Sequence, residues 1–84
     1  MKNDLSFEEA VARIPLGKWR HFKGGKYEVL GIAKNSETLV PTVVYRALYG
    51  EGAIWVRDAN MWLETVSRDG ATVARFTFLG EHDD

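Results

Sequence analysis

The chain has 84 residues with eleven Lys and Arg against twelve Asp and Glu, so its formal charge is −1. A protein so balanced exerts no long-range pull on nucleic acid or anionic lipid, and any anion binding has to be local. The absence of cysteine excludes a disulfide framework, and the two histidines, His21 and His82, stand too far apart for the usual Cys/His zinc patterns.

The first predicted element is a helix over residues 6–14. Ser6 and Glu9 have the Ser-x-x-Glu spacing of a capping box. Phe7, Ala10, Val11 and Ile14 then recur at i, i+3, i+4, i+7, until Pro15 and Gly17 stop the helix. A helix this short does not persist alone in water and must dock on something.

From Lys18 onward, short runs rich in Val, Ile, Tyr, Phe and Trp alternate with glycine turns, which predicts strands. Lys18–Lys23 and Lys26–Lys34 read as a hairpin about Gly24-Gly25. A polar loop, Asn35-Ser36-Glu37-Thr38, follows, and Pro41 belongs at a strand entrance because it cannot donate to a ladder. Thr42–Tyr49 is the clearest strand, and Gly50-Glu51-Gly52 turns it into Ala53–Arg57. Asp58-Ala59-Asn60 reads as a bend into a strand at Met61–Val66, and Asp69-Gly70 as a type I′ turn into Val73–Leu79. Gly80 to Asp84 reads as a flexible acidic tail.

These elements predict one mainly β domain, a small, strongly bent SH3-like barrel of five to six strands over residues 18–79, with a short N-terminal helix. A bent open sheet packed on that helix is the alternative. Ten aromatic residues (three Trp, three Tyr, four Phe) supply the core, and Trp62, Phe76 and Phe78 are most simply part of it. Val43, Tyr45 and Ala47 alternate with Val44 and Leu48, so both faces of that strand look apolar and something must cover the second. The stripe of Phe7, Val11 and Ile14 is the cheapest cover, and a partner subunit the next.

Strand parity also sorts the cations. In KWRHFKGGKY, Trp19, His21 and Lys23 share one face and Lys18, Arg20 and Phe22 the other, so the charges do not form a single stripe for nucleic acid. Arg46 follows Tyr45, and Arg57 lies two residues after Trp55 on the same face. If their strands form a hairpin, the two guanidiniums can converge on a planar phosphate or carboxylate. The competing reading pairs each with an acid such as Glu28, Glu37, Glu51 or Glu64. Ser36 and Glu37 sit in the longest loop, where binding residues often gather, although ordinary turn chemistry explains them equally well. A catalytic set of Ser36, His21 and Glu37 can be imagined, but no spacing fixes its geometry.

Several segments together resemble a known family: P-x-G-x-W-R-H-F-K-G from Pro15 to Gly24, Y-E-V-L-G-I-A from Tyr27 to Ala33, S-E-T from Ser36 to Thr38, V-V-Y-R-A-L-Y-G from Val43 to Gly50, and W-V-R from Trp55 to Arg57 with Met61. In that order they are similar to the small bacterial domain of unknown function 1653. The resemblance implies a compact, mostly β domain with no established activity. Its pattern is richest at His21, Lys23, Ser36, Glu37, Tyr45, Arg46, Trp55 and Arg57. Asn35 stands where the family usually has His, and Asp58 where it commonly has Pro.

The functional expectation is a binding module in which His21, Lys23, Tyr45, Arg46, Trp55 and Arg57, with Ser36 and Glu37, recognise a small anionic or nucleotide-like ligand. The alternative is a protein-interaction or self-association domain without a small ligand. No apolar run approaches the roughly 18–20 residues that span a bilayer, and the N-terminus lacks a signal peptide's apolar middle. A cytoplasmic protein with no membrane partner, cofactor or metal is expected, and an extended nucleic-acid duplex is disfavoured.

Overall fold

The computed structural model describes residues 5–80. It opens on the capping box: the Ser6 N–H donates to Glu9 Oε1 at 2.9 Å and the Glu9 N–H to Ser6 Oγ at 3.0 Å. Helix α1 follows over Phe7–Arg13, with Ile14 as its C-cap. Ala10 and Ile14 are buried, whereas Val11 is 49% exposed and Phe7 only half-buried. The buried stripe is therefore one step round the helix from Phe7 and Val11.

Seven strands and a helical turn follow: β1 (Gly17–His21), β2 (Lys26–Lys34), β3 (Pro41–Ala47), β4 (Ile54–Asp58), α2 (Ala59–Trp62), β5 (Thr65–Arg68), β6 (Ala71–Ala74) and β7 (Phe76–Gly80). Five of them form an antiparallel sheet in the order β4-β3-β2-β1-β7, while β5 and β6 make a separate hairpin. The expected barrel does not close. Among the described residues β4 and β7 are unpaired edges, as in the open-sheet alternative. The chain leaves β4 through α2, which packs back on β3 and β4, and the β5–β6 hairpin is tied to the β1–β2 turn by an Arg68 Nη1 bond to the Phe22 carbonyl at 2.6 Å.

The remaining departures each have a specific cause, local or tertiary. The β1–β2 connection is a four-residue turn, Phe22–Gly25, closed by the His21 N–H on the Gly25 carbonyl, so Lys23 lies in the turn and not on a strand. Residues 59–62 coil because the Asp58 carboxylate accepts from the Asn60 N–H at 2.7 Å, capping a turn that drives Trp62 inward. Val73–Leu79 is broken at Arg75, whose N–H bonds to the Glu64 carbonyl and whose own carbonyl accepts from Phe22. The Asp69-Gly70 turn has positive φ at both residues (53° and 78°), as type I′ requires. The tail expected from Gly80 lies, beyond Gly80 itself, outside the described residues.

One face of the sheet carries the core. Trp19, Val29, Val43, Tyr45 and Phe76 pack with Ala10, Ile14, Ala59 and Trp62. Trp62 is the plug: its indole stacks on Phe76 at 3.7 Å and 1°, and meets Trp19 and Tyr45 edge-on at 5.7 and 4.9 Å. Since α1 joins this inner cluster, it does not cover the outer face as expected. Part of the outer apolar row is explained by a β-bulge: Val29 pairs with Tyr45 but Gly31 pairs with Val44, so Leu30 is the extra residue and Val29 and Ile32 share the inner face.

Candidate functional site

Where the inner face runs past its core, the strands leave a recess of about 430 Å³ lined by Tyr27, Tyr45, Ala47, Tyr49, Gly50, Glu51, Ala53, Trp55 and Arg57. Register builds it. Tyr27 pairs with Ala47, Tyr45 with Trp55, and Arg57 with Val43, so alternate residues of three neighbouring strands project to one side. Tyr49 arrives from the β3–β4 loop, and its hydroxyl lies 2.5 Å from that of Tyr27. Gly25 makes room for it, because a Cβ there would sit 3.3 Å from the Tyr49 ring.

Arg57 is the recess's cation. Its guanidinium carbon lies 5.8 Å from the centroid of the Phe76 ring, and its Nε is buried with no hydrogen-bond partner. Among the described residues no carboxylate comes within ion-pair distance of it; the one such pair, Arg75 with Glu64 at 3.4 Å, is elsewhere. The expected neutralisation of Arg57 by an acid is therefore not found. Burial, then the Tyr49 hydrogen bond, pushes the Tyr27 hydroxyl up to about 12, so that phenol stays neutral near pH 7.

His21 borders this region without lining it, its ring 4.9 Å from Phe76. Burial lowers its pKa from 6.5, and the charges of Arg57, Arg75 and Lys23 lower it further. Its Nδ1 accepts from the Lys23 N–H at 3.2 Å, which leaves the ring proton on Nε2.

The sequence placed eight residues in one site, and the structure gathers three of them, Tyr45, Trp55 and Arg57, with His21 alongside. Arg46 is a correction. It pairs with Ile54 and Glu28 while Arg57 pairs with Val43, an odd offset that puts the two arginines on opposite faces. Their guanidiniums do not converge. Lys23 is exposed in its turn, with its ammonium 5.8 Å from the Phe22 ring centroid. Ser36 and Glu37 are exposed in the β2–β3 turn, where the Glu37 and Thr38 N–H groups donate to Asn35 Oδ1 at 2.9 and 3.1 Å. That turn adjoins the Lys34–Pro41 end of the ladder, close to Arg57, whereas His21 stands beyond the Tyr27–Ala47 end, seven residues or about 20 Å away. His21 is thus not brought together with Ser36 and Glu37 as a catalytic set.

Tyr27, Tyr49 and Glu51 are lining residues that sequence reasoning missed. The signal for Tyr27 was its parity with the Tyr45 row, legible only once the register is known. A hollow of similar size, about 440 Å³, beside Leu16, Gly17, Glu28, Val29 and Leu30 presents an acid and no cation.

Comparison with curated proteins returns no match. Among solved structures, a crystal structure of a DUF1653 protein from Bordetella bronchiseptica superposes with a TM-score of 0.78 at 32% identity, covering 87% of this chain and 96% of that one. The family model described as protein of unknown function (DUF1653) matches residues 17–78, beginning at β1 and ending within β7. Sequence motifs, profile and fold agree, and the chain belongs to the DUF1653 family, with α1 standing ahead of the matched region.

Proposed function

We propose that this domain is a binding module for a small ligand with a planar ring and one anionic group, of the size of a nucleoside monophosphate or an aromatic carboxylate. The observation that carries the reading is Arg57: a guanidinium without a carboxylate partner, its Nε shielded from water, at the edge of a hollow walled by Tyr27, Tyr45, Tyr49 and Trp55. Because Nε is closed to water it is closed to an oxyanion as well, so a ligand in the hollow would be held by the guanidinium's Nη groups. Guanidinium geometry suits bidentate capture of a carboxylate or phosphate, and the exposed Trp55 ring offers a face for stacking. The volume falls in the range of roughly 300–1,000 Å³ usual for ligand sites. A single cation with Glu51 on the rim favours one anionic group over a polyphosphate.

The test is a thermal-shift screen of nucleoside monophosphates, short oligonucleotides and carboxylate metabolites, repeated on Arg57→Ala and Arg46→Ala. A stabilising ligand whose effect vanishes in Arg57→Ala and survives in Arg46→Ala supports the reading. Equal responses in both variants would place the site elsewhere.

A further inference from the structure

The open edge of β4 carries an inference independent of the recess. The ladder with β3 pairs Val43 with Arg57, Tyr45 with Trp55 and Arg46 with Ile54, and it continues with the Ala47 N–H donating to the Ala53 carbonyl at 2.9 Å. Bonded and non-bonded pairs alternate along an antiparallel ladder. Ala53, Trp55 and Arg57 therefore direct their backbone groups to β3, and Ile54, Val56 and Asp58 direct theirs outward. Among the described residues no strand pairs with that edge. Its side chains are uncovered as well: Trp55 is 56% exposed, Ile54 58% and Val56 65%. The edge is lightly protected: Ile54–Asp58 contains no Pro, no Lys and no bulge, and its two charges, Arg57 and Asp58, stand together at one end of a five-residue strand.

We propose that this edge pairs with the same edge of a second copy of this chain, antiparallel and two-fold symmetric about Val56. The choice of occupant rests on self-complementarity: of the symmetric registers that bring outward backbone groups together, one also matches the side chains. Centring on Val56 makes the outward groups of Val56 bond to their own counterparts and those of Ile54 to the partner's Asp58. It also sets Trp55 opposite the partner's Arg57, in a non-hydrogen-bonded pair where side chains approach most closely. Arginine against an indole face is a favourable contact, and symmetry makes it twice. Centring on Trp55 or Arg57 would also bring outward groups together, Ile54 with the partner's Val56 or Val56 with the partner's Asp58, but it would set Trp55 against Trp55 or Arg57 against Arg57 and forgo both tryptophan–arginine contacts. In the Val56 register two five-stranded sheets become one continuous sheet with both inner faces on the same side. Each Arg57 then has the partner's Trp55 beside it, so the two recesses adjoin.

Sedimentation velocity over a range of protein concentrations tests this without any ligand. The unmodified chain is expected to pass from monomer to dimer as concentration rises, with hydrogen exchange at the Ile54, Val56 and Asp58 amides slowing in parallel. Val56→Lys and Val56→Glu each place like charges face to face on the two-fold axis, and each is expected to weaken association about tenfold or more. Mixing the two should restore it as a heterodimer. Because the Val56 side chain is exposed, both variants are expected to keep the parent circular dichroism spectrum. A chain monomeric at every concentration overturns the proposal, as does undiminished association of Val56→Lys. Failure of two folded variants to associate when mixed overturns it too. Should either variant misfold, concentration-independent exchange at Val56 in the parent chain decides against it.

Discussion

Removing the Trp62 side chain should remove a large share of the domain's stability. The residue is fully buried, lies flat on Phe76 at 3.7 Å and is met edge-on by Trp19 and Tyr45. Truncating such a side chain to Ala is destabilising by about 3–5 kcal/mol. A domain of 84 residues holds in total about 4–13 kcal/mol. Trp62→Ala is therefore expected to lower the urea midpoint far below the parent's, and to unfold the domain outright if its stability lies at the low end of that range. Trp62→Phe should behave differently. It keeps a ring against Phe76 and deletes an indole N–H that is buried with no protein partner, an orphan group worth roughly 1–3 kcal/mol. The lost volume and the removed orphan oppose each other, so the expected change for Trp62→Phe is about 1.5 kcal/mol or less. Urea unfolding followed by far-UV circular dichroism, with the slope held to that of the parent, measures both. Equal destabilisation by the two variants would refute the role given to the stack, and a Trp62→Ala variant as stable as the parent would refute the placement of the core.

Ser6→Ala removes one arm of the capping box and should lower stability by about 1 kcal/mol, moving the urea midpoint down by roughly 1 M. His21 has its pKa lowered in the folded state, by burial first and then by Arg57, Arg75 and Lys23. The unfolded chain then binds the proton more readily, so this contribution is complete above pH 6.5 and is lost as pH falls below it towards the folded value. The melting temperature of His21→Asn should accordingly fall less between pH 7.5 and 5.5 than the parent's, and an identical fall would contradict the placement of His21. For Tyr27, with its hydroxyl pushed up to about 12, ultraviolet difference titration should find one tyrosine ionising last, and Tyr49→Phe should bring it down.

What the sequence reveals here is mostly local. Ser6 and Glu9 announced α1, Pro41 the start of β3, and Asp69-Gly70 the turn between β5 and β6, because each of these signals acts within a few residues. The same signals failed wherever a tertiary contact decides. Trp62 is drawn into a helical turn by the core it fills, and Arg75 ends β6 by bonding to Glu64 and Phe22 from outside the hairpin. The pairing of the two strand arginines failed for a subtler reason. Arg46 and Arg57 would share a face if the β3–β4 register slipped by a single residue, and that register is fixed by how the loop closes with the Ala47 N–H on the Ala53 carbonyl. Nothing in the residue types states it. The Leu30 bulge likewise turns a strand that reads as apolar on both faces into one whose Val29 and Ile32 point inward together.

The most direct measurement is the Nε–H resonance of Arg57, followed by ¹H–¹⁵N NMR while a nucleoside monophosphate or an aromatic carboxylate is added. An anion held in the recess should shift that resonance together with the amides of Tyr45, Tyr49 and Trp55, and leave Arg46 on the opposite face unmoved. Saturable shifts around Arg46 with Arg57 silent, or no shift anywhere across the ligand panel, would contradict the assignment of the tyrosine-walled hollow as an anion site.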